Sequence, residues 1–256
     1  MLSRVTHGTP TDQPPLVMAH GLFGSARNLG AVARRLAAGR EVVAVDMRNH
    51  GDSPRSPDHG YEAMAADLAE VVEALGGRAD VLGHSMGGKA VMVLALGAPE
   101  LVRRLVVADI APAAYGHSQI GYVRAMQAAD FAGVTRRSEA EARLATHVAD
   151  PALRSFFLQS LELGEGVPRW KLNLAALGDQ MPRIMSFPAI ADGAAYRGPV
   201  LVVTGERSDY VRPEHWPRIR ELFPQAEQAV LPEAGHWLHA DAPRQFSETV
   251  DAFLRA

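Results

Sequence analysis

The strongest chemical signal in this 256-residue chain is the pentapeptide Gly83-His84-Ser85-Met86-Gly87. An apolar run precedes it and a helical pattern follows, the context in which G-x-S-x-G places a serine on a sharp strand-to-helix turn. Glycines two positions either side remove the clash between the converging strand and helix, and the strained turn lifts the hydroxyl into a cleft. A serine hydroxyl attacks poorly until a base takes its proton, and histidine, which titrates near neutrality, is the usual base. Of the ten histidines, His236 in Glu233-Ala234-Gly235-His236-Trp237 is best placed, after the last expected strand and before the last helix. His20 and His50 flank glycines in turns, and His84 belongs to the pentapeptide. His7, His59, His117, His147 and His215 stand in polar stretches and read as structural or solvated. His239 follows His236 by three residues without an H-E-x-x-H pattern or an acidic third ligand, so no metal site is expected.

A base of this kind needs a carboxylate to fix its tautomer and steady its charged form. Two aspartates qualify, Asp109 and Asp209, each just past the carboxyl end of an expected strand, where open α/β sheets gather their ligands. Position alone does not separate them. The oxyanion formed on attack needs backbone N–H donors set in advance. Met86, next to the nucleophile, supplies one, and Leu22 in His20-Gly21-Leu22-Phe23-Gly24 is expected to supply the other. Together these parts describe acyl transfer through an acyl-enzyme, with no metal or organic cofactor.

The elements that must position them alternate. Leu16–Ala19, Val42–Asp46, Val81–Gly83, Leu105–Asp109, Val200–Thr204 and Ala229–Leu231 read as strands, most of them apolar on both faces as in a covered parallel sheet. Gly30–Ala38, Tyr61–Leu75, Gly87–Leu96, Pro213–Phe223 and Pro243–Leu254 carry helical spacing. The pattern predicts an α/β fold with a mostly parallel central sheet flanked by helices. From Tyr115 to Ile190 no strand is expected and the chain turns helical, between the punctuation of Ala111-Pro112-Ala113 and of residues 193–199. Residues 1–113 and 194–256 therefore read as the core and 114–193 as a helical cap. Phe23, Trp237 and, from the cap, Met181 and Trp170 are candidates for a substrate pocket. Arg124, Arg136 and Arg137 are cations that a CoA phosphate would meet, or a solvated helix face.

Composition narrows the classes. An apolar share of 47% with 21% charged residues describes a folded domain. A net charge of −3 gives no electrostatic case for nucleic acid or an anionic membrane. The absence of cysteine excludes disulfides and a thiol nucleophile. Met1 to Thr6 lacks the apolar core of a secretory signal, and no run is long enough to span a bilayer, which makes cytoplasmic residence the expectation. Nothing in the sequence speaks to oligomeric state.

Beyond these local signals the chain resembles the α/β-hydrolase esterases of the bacterial YbfF type, related to the animal abhydrolase-domain 11 proteins. The likeness rests on His20-Gly21-Leu22-Phe23-Gly24-Ser25 with Asn28-Leu29, and on Val45-Asp46-Met47-Arg48-Asn49-His50-Gly51 with Ser53-Pro54. It continues through Gly83-His84-Ser85-Met86-Gly87-Gly88-Lys89-Ala90, Asp109-Ile110-Ala111-Pro112 and Gly235-His236-Trp237. The resemblance implies a capped α/β-hydrolase fold, cleavage of small or medium acyl esters, and thioesterase activity on acyl-CoA as an extension. It also implies that the aspartate of D-I-A-P, Asp109, is the acid. An aspartate at 209 is a departure, since the wider superfamily keeps its acid in that loop. A perhydrolase or carbon–carbon bond hydrolase would use the same residues, and a ligand sensor would keep the scaffold without the turnover.

Overall fold

The structure is a computed structural model that describes residues 1–164 and 166–256. Seven strands form one sheet: β1 (Arg4–His7), β2 (Leu16–Ala19), β3 (Val42–Val45), β4 (Ala79–His84), β5 (Val102–Ala108), β8 (Val200–Gly205) and β9 (Ala226–Leu231). Their spatial order is β1-β3-β2-β4-β5-β8-β9, with β1 antiparallel to β3 and every other pairing parallel.

The apolar character of both strand faces follows from what covers them. In β2, Val17 and Ala19 face one core while Leu16 and Met18 face the other. The first is closed by α2 (Tyr61–Ala74) and α3 (Met86–Gly97), which bring Met64, Leu68, Val71 and Val91 onto the sheet. The second is closed by α1 (Gly30–Leu36) and α11 (Pro243–Arg255), through Val32, Leu36, Phe246 and Val250. Helices on both faces leave the strand ends as the places where polar groups gather.

Between β5 and β8 the chain forms α4 (Ile120–Ala128), α5 (Arg137–Ala145), α6 (Pro151–Leu158), α7 (Leu174–Asp179) and α8 (Met181–Met185). The expectation of no strand here is corrected by a two-residue antiparallel pair, β6 (Leu161–Glu162) with β7 (Arg169–Trp170). Two residues are too few for an alternation to register in sequence. Residue 165, inside the expected cap, lies outside the described residues. After β8 come α9 (Trp216–Leu222), β9, and α10 (Leu238–Asp241) ahead of α11. The edge strand β1 also went unexpected, because Arg4, Val5 and Thr6 are exposed and show no buried face. Among the described residues no helix is long and apolar enough to cross a membrane.

The incoming end of the sheet buries charge. Asp80, at the start of β4, is fully buried and bridges Arg40 at 2.7 Å and Arg103 at 2.7 Å. Arg103 also donates to the Leu254 carbonyl in α11, 2.8 Å away, so an ionic knot ties β4, β5 and the last helix.

Candidate active site

Ser85 stands between β4 and α3 with φ 53° and ψ −117°, a conformation that L side chains rarely adopt. The glycines beside it are sterically required. A Cβ on Gly83 would lie 2.2 Å from the Gly87 carbonyl oxygen, and one on Gly87 would lie 2.5 Å from that of Ala19. The turn is held by the Ser85 amide, which donates to the Ala108 carbonyl of neighbouring β5 at 3.0 Å.

The same register brings Asp109, the residue after β5, to the same end of the sheet. Its amide donates to Val203 of β8 at 2.8 Å, and its own φ is 54°. His236 arrives from the loop after β9. Its Nε2 lies 3.1 Å from the Ser85 hydroxyl and its Nδ1 lies 2.7 Å from Asp109 Oδ2. Asp109 is fully buried, and the imidazole keeps 20% of its side-chain surface. The carboxylate is satisfied on its other sides by the Gly205 amide at 3.2 Å and by the Ser208 hydroxyl. A buried acceptor with three donors is oriented by all of them. Asp209 lies elsewhere: its residue is exposed, and its carbonyl accepts from Arg212 Nε at 3.1 Å. The structure therefore places Asp109, and not Asp209, on the imidazole.

Leu22 and Met86 border the same cleft as the serine, and among the described residues neither amide has a protein acceptor. A cavity of about 340 Å³ opens there, with Ser85, His236, Leu22, Phe23, Met86 and Trp237 in its wall. The segment between β5 and β8 contributes Tyr122, Leu153, Phe156 and Phe157 to that wall.

Two pocket expectations are corrected. Trp170 turns its indole N–H to the Met126 carbonyl at 2.9 Å and packs edge-on against Phe131, away from the cavity. Met181 is buried and lines a second depression with His117, Ile120 and Arg124, not the cavity at Ser85. Both side chains pack within the inserted segment. Arg136 is engaged with Glu139 within its own helix turn.

Several neighbours carried no local signal. Tyr210 stacks on the His236 ring, 3.8 Å between centroids and 16° from parallel. His84 donates from Nε2 to the His236 carbonyl at 2.8 Å, anchoring the base's loop to the nucleophile's strand. His59, read as structural or solvated, is structural: it is fully buried, with Nδ1 accepting from Asn49 at 3.2 Å. Burial holds these imidazoles neutral: it lowers His20 to about 4, His50 to about 3 and His239 to about 4, and takes His84 well below its ordinary value. Lys89, one turn beyond Ser85, is also buried, and desolvation lowers it to about 7. Its ammonium donates to the Ser186 carbonyl and lies 4.7 Å from the Tyr115 ring centroid, contacts that favour the charged form against that desolvation. Among the described residues no three metal-ligating side chains cluster.

Comparison with known proteins bears on this geometry. A family described as alpha/beta hydrolase fold matches residues 14–243. The mouse protein named sn-1-specific diacylglycerol lipase ABHD11 is 43% identical over 250 residues, covering 94% of this chain and 81% of its own length. Esterase YbfF of Escherichia coli K12 is 39% identical over 246 residues, covering 94% and 91%. A solved structure titled marine microorganism esterase superposes with a TM-score of 0.92 at 35% identity, over 98% of each chain.

Proposed function

Because the chain belongs to the alpha/beta hydrolase fold family, with esterases and lipases among its relatives, we propose that it hydrolyses carboxylic esters through an acyl-enzyme on Ser85. The observation that carries this reading is the unbroken chain of hydrogen bonds from Ser85 through His236 to Asp109, opening on a mostly apolar cavity. His236 Nε2 takes the serine proton as the oxygen attacks the acyl carbon, and Asp109 holds Nδ1–H and steadies the imidazolium. The carbonyl oxygen, now an oxyanion, accepts from the amides of Leu22 and Met86. As the tetrahedral intermediate collapses, the C–O bond to the alcohol breaks and His236 returns the proton to the leaving oxygen. Water then enters, loses a proton to the same nitrogen, and releases the acid while Ser85 recovers its hydrogen. A thiol leaves by the same steps, so acyl-CoA thioesters belong to the proposed range.

Residues 114–193 act in this reading as a cap that walls the acyl side of the cavity with Tyr122, Leu153 and Phe156. A fluorophosphonate probe tests the nucleophile: wild-type protein is expected to label within minutes and Ser85→Ala not at all. Unlabelled wild type would instead make the scaffold a ligand sensor. A panel of p-nitrophenyl esters and acyl-CoAs of graded chain length then fixes the acyl preference and the leaving group.

A further inference from the structure

The turn that carries the Leu22 amide is an unfavourable one. Gly24 donates to the Gly21 carbonyl at 3.0 Å, closing a four-residue turn whose third residue, Phe23, has φ 64°. Turns with that positive angle ordinarily take glycine there, and a bulky side chain is strained. Something outside the turn must hold it.

Three successive peptide planes are pinned by side chains. The Gly21 carbonyl accepts from His20 Nδ1 at 2.7 Å, while His20 Nε2 accepts from the Met47 amide at 3.0 Å. In a trans peptide the carbonyl and the following N–H point opposite ways. Fixing the Gly21 oxygen inward therefore aims the Leu22 N–H outward. The Phe23 amide donates to His50 Nε2 at 3.1 Å, and His50 Nδ1 donates to the Arg48 carbonyl at 2.9 Å, which leaves Nε2 as the acceptor. The Phe23 carbonyl accepts from the buried Ser160 hydroxyl at 3.1 Å.

Both of the last two pins trace to the segment inserted between β5 and β8. Ser160 follows α6 and is itself held at both backbone ends, by Phe157 at 2.9 Å and Lys171 at 2.8 Å. His50 bridges to Leu172, and the neighbouring Asn49 carbonyl accepts from the Asn173 amide at 2.9 Å. Phe157 of α6 adds an edge-on contact to the Phe23 ring, 5.4 Å between centroids.

We propose that His50 and Ser160 are positioning residues which preset the oxyanion-binding amide of Leu22 by clamping both polar groups of Phe23, so that the inserted segment takes part in turnover as well as in covering substrate. The clamp rests on the acyl-enzyme reading above. It touches no substrate atom and acts only through the turn.

Removing a whole oxyanion donor costs roughly 10²- to 10³-fold in kcat, and misaiming one by a fraction of an ångström costs less, about 10-fold. Ser160→Ala deletes one hydroxyl, and His50→Phe keeps a ring while deleting both nitrogens. For each folded variant, kcat on p-nitrophenyl butyrate is expected to fall about 10-fold or more with KM within about 2-fold of wild type. Inhibition by an alkyl trifluoromethyl ketone, whose carbonyl oxygen occupies the oxyanion position once Ser85 has added to the ketone to form a hemiketal, should weaken by the same factor as kcat/KM. If His50→Phe does not fold, Ser160→Ala decides alone. Wild-type kcat in Ser160→Ala, or a lowered kcat with unchanged ketone inhibition, overturns the clamp while leaving the esterase reading intact. Wild-type protein that cleaves no ester overturns both.

Discussion

Where its strands begin, the central sheet buries permanent charge; where they finish, it buries neutral imidazoles beside strained backbone. At the first end Asp80 holds both Arg40 and Arg103, and Arg103 also donates to the Leu254 carbonyl. At the second end Phe23, Asn49, Ser85, Asp109 and Glu233 all take positive φ, and each follows the carboxyl end of a parallel strand, β2, β3, β4, β5 and β9 in turn. Such residues persist only where their surroundings over-determine them. One sheet thus holds two kinds of polar burial: a knot of ion pairs that fixes the scaffold, and an arrangement of histidines and strained turns that opens on a cavity.

The sharpest way to break that contrast is to amidate an acid at the finishing end. Asp109→Asn presents the wrong group to His236 Nδ1, and kcat on p-nitrophenyl butyrate is expected to fall on the order of 10⁴-fold, the loss such a change produces in a serine protease triad. Asp209→Asn, on an exposed side chain, should stay within about 2-fold. A reversal of these two results would move the acid to the other loop.

At the opposite end the largest effect falls on folding. Asp80→Ala leaves Arg40 buried without its partner, and urea denaturation is expected to show a loss of about 3–5 kcal/mol. The kcat of the protein that remains folded should not change. A fall in kcat with stability preserved would show that the two ends are coupled.

Acid separates the ends more gently. His20, His50 and His239 titrate lower in the folded protein than the ordinary 6.5, so between about pH 6.5 and 4 the unfolded chain binds protons that the folded one refuses. Stability therefore rises with pH across that window and is lost as pH falls through it, by up to about 1.4 kcal/mol per unit for each histidine. Urea midpoints measured from pH 7 to pH 5 should drop, and a flat profile would mean that these rings are charged inside the fold.

What could be read from the residues alone was whatever local stereochemistry dictates. Buried parallel strands must be apolar on both faces, and a serine at φ 53° leaves no room for a side chain at 83 or 87, so both features print themselves on short stretches of sequence. The meeting of Ser85, His236 and Asp109 was expected from chain order and resemblance, with Asp209 left open by position. Contacts made across the chain print nothing. Ser208 on Asp109 and His84 on the His236 carbonyl join residues 99 and 152 positions apart, and either partner in isolation is an ordinary polar residue. Trp170 and Met181 failed as pocket residues for a related reason. A residue's type marks Trp170 and Met181 as apolar, whereas the docking of the inserted segment decides whether each side chain meets substrate or packs against its neighbours.

The hydroxyl of Ser160 on the Phe23 carbonyl has a consequence for anyone who would exchange parts among these relatives. A foreign insertion spliced at residues 114 and 193 would be judged at a spot remote from the splice. Unless it offers a hydrogen-bond donor to that single oxygen, the transplant brings a new roof to a room whose floor has shifted.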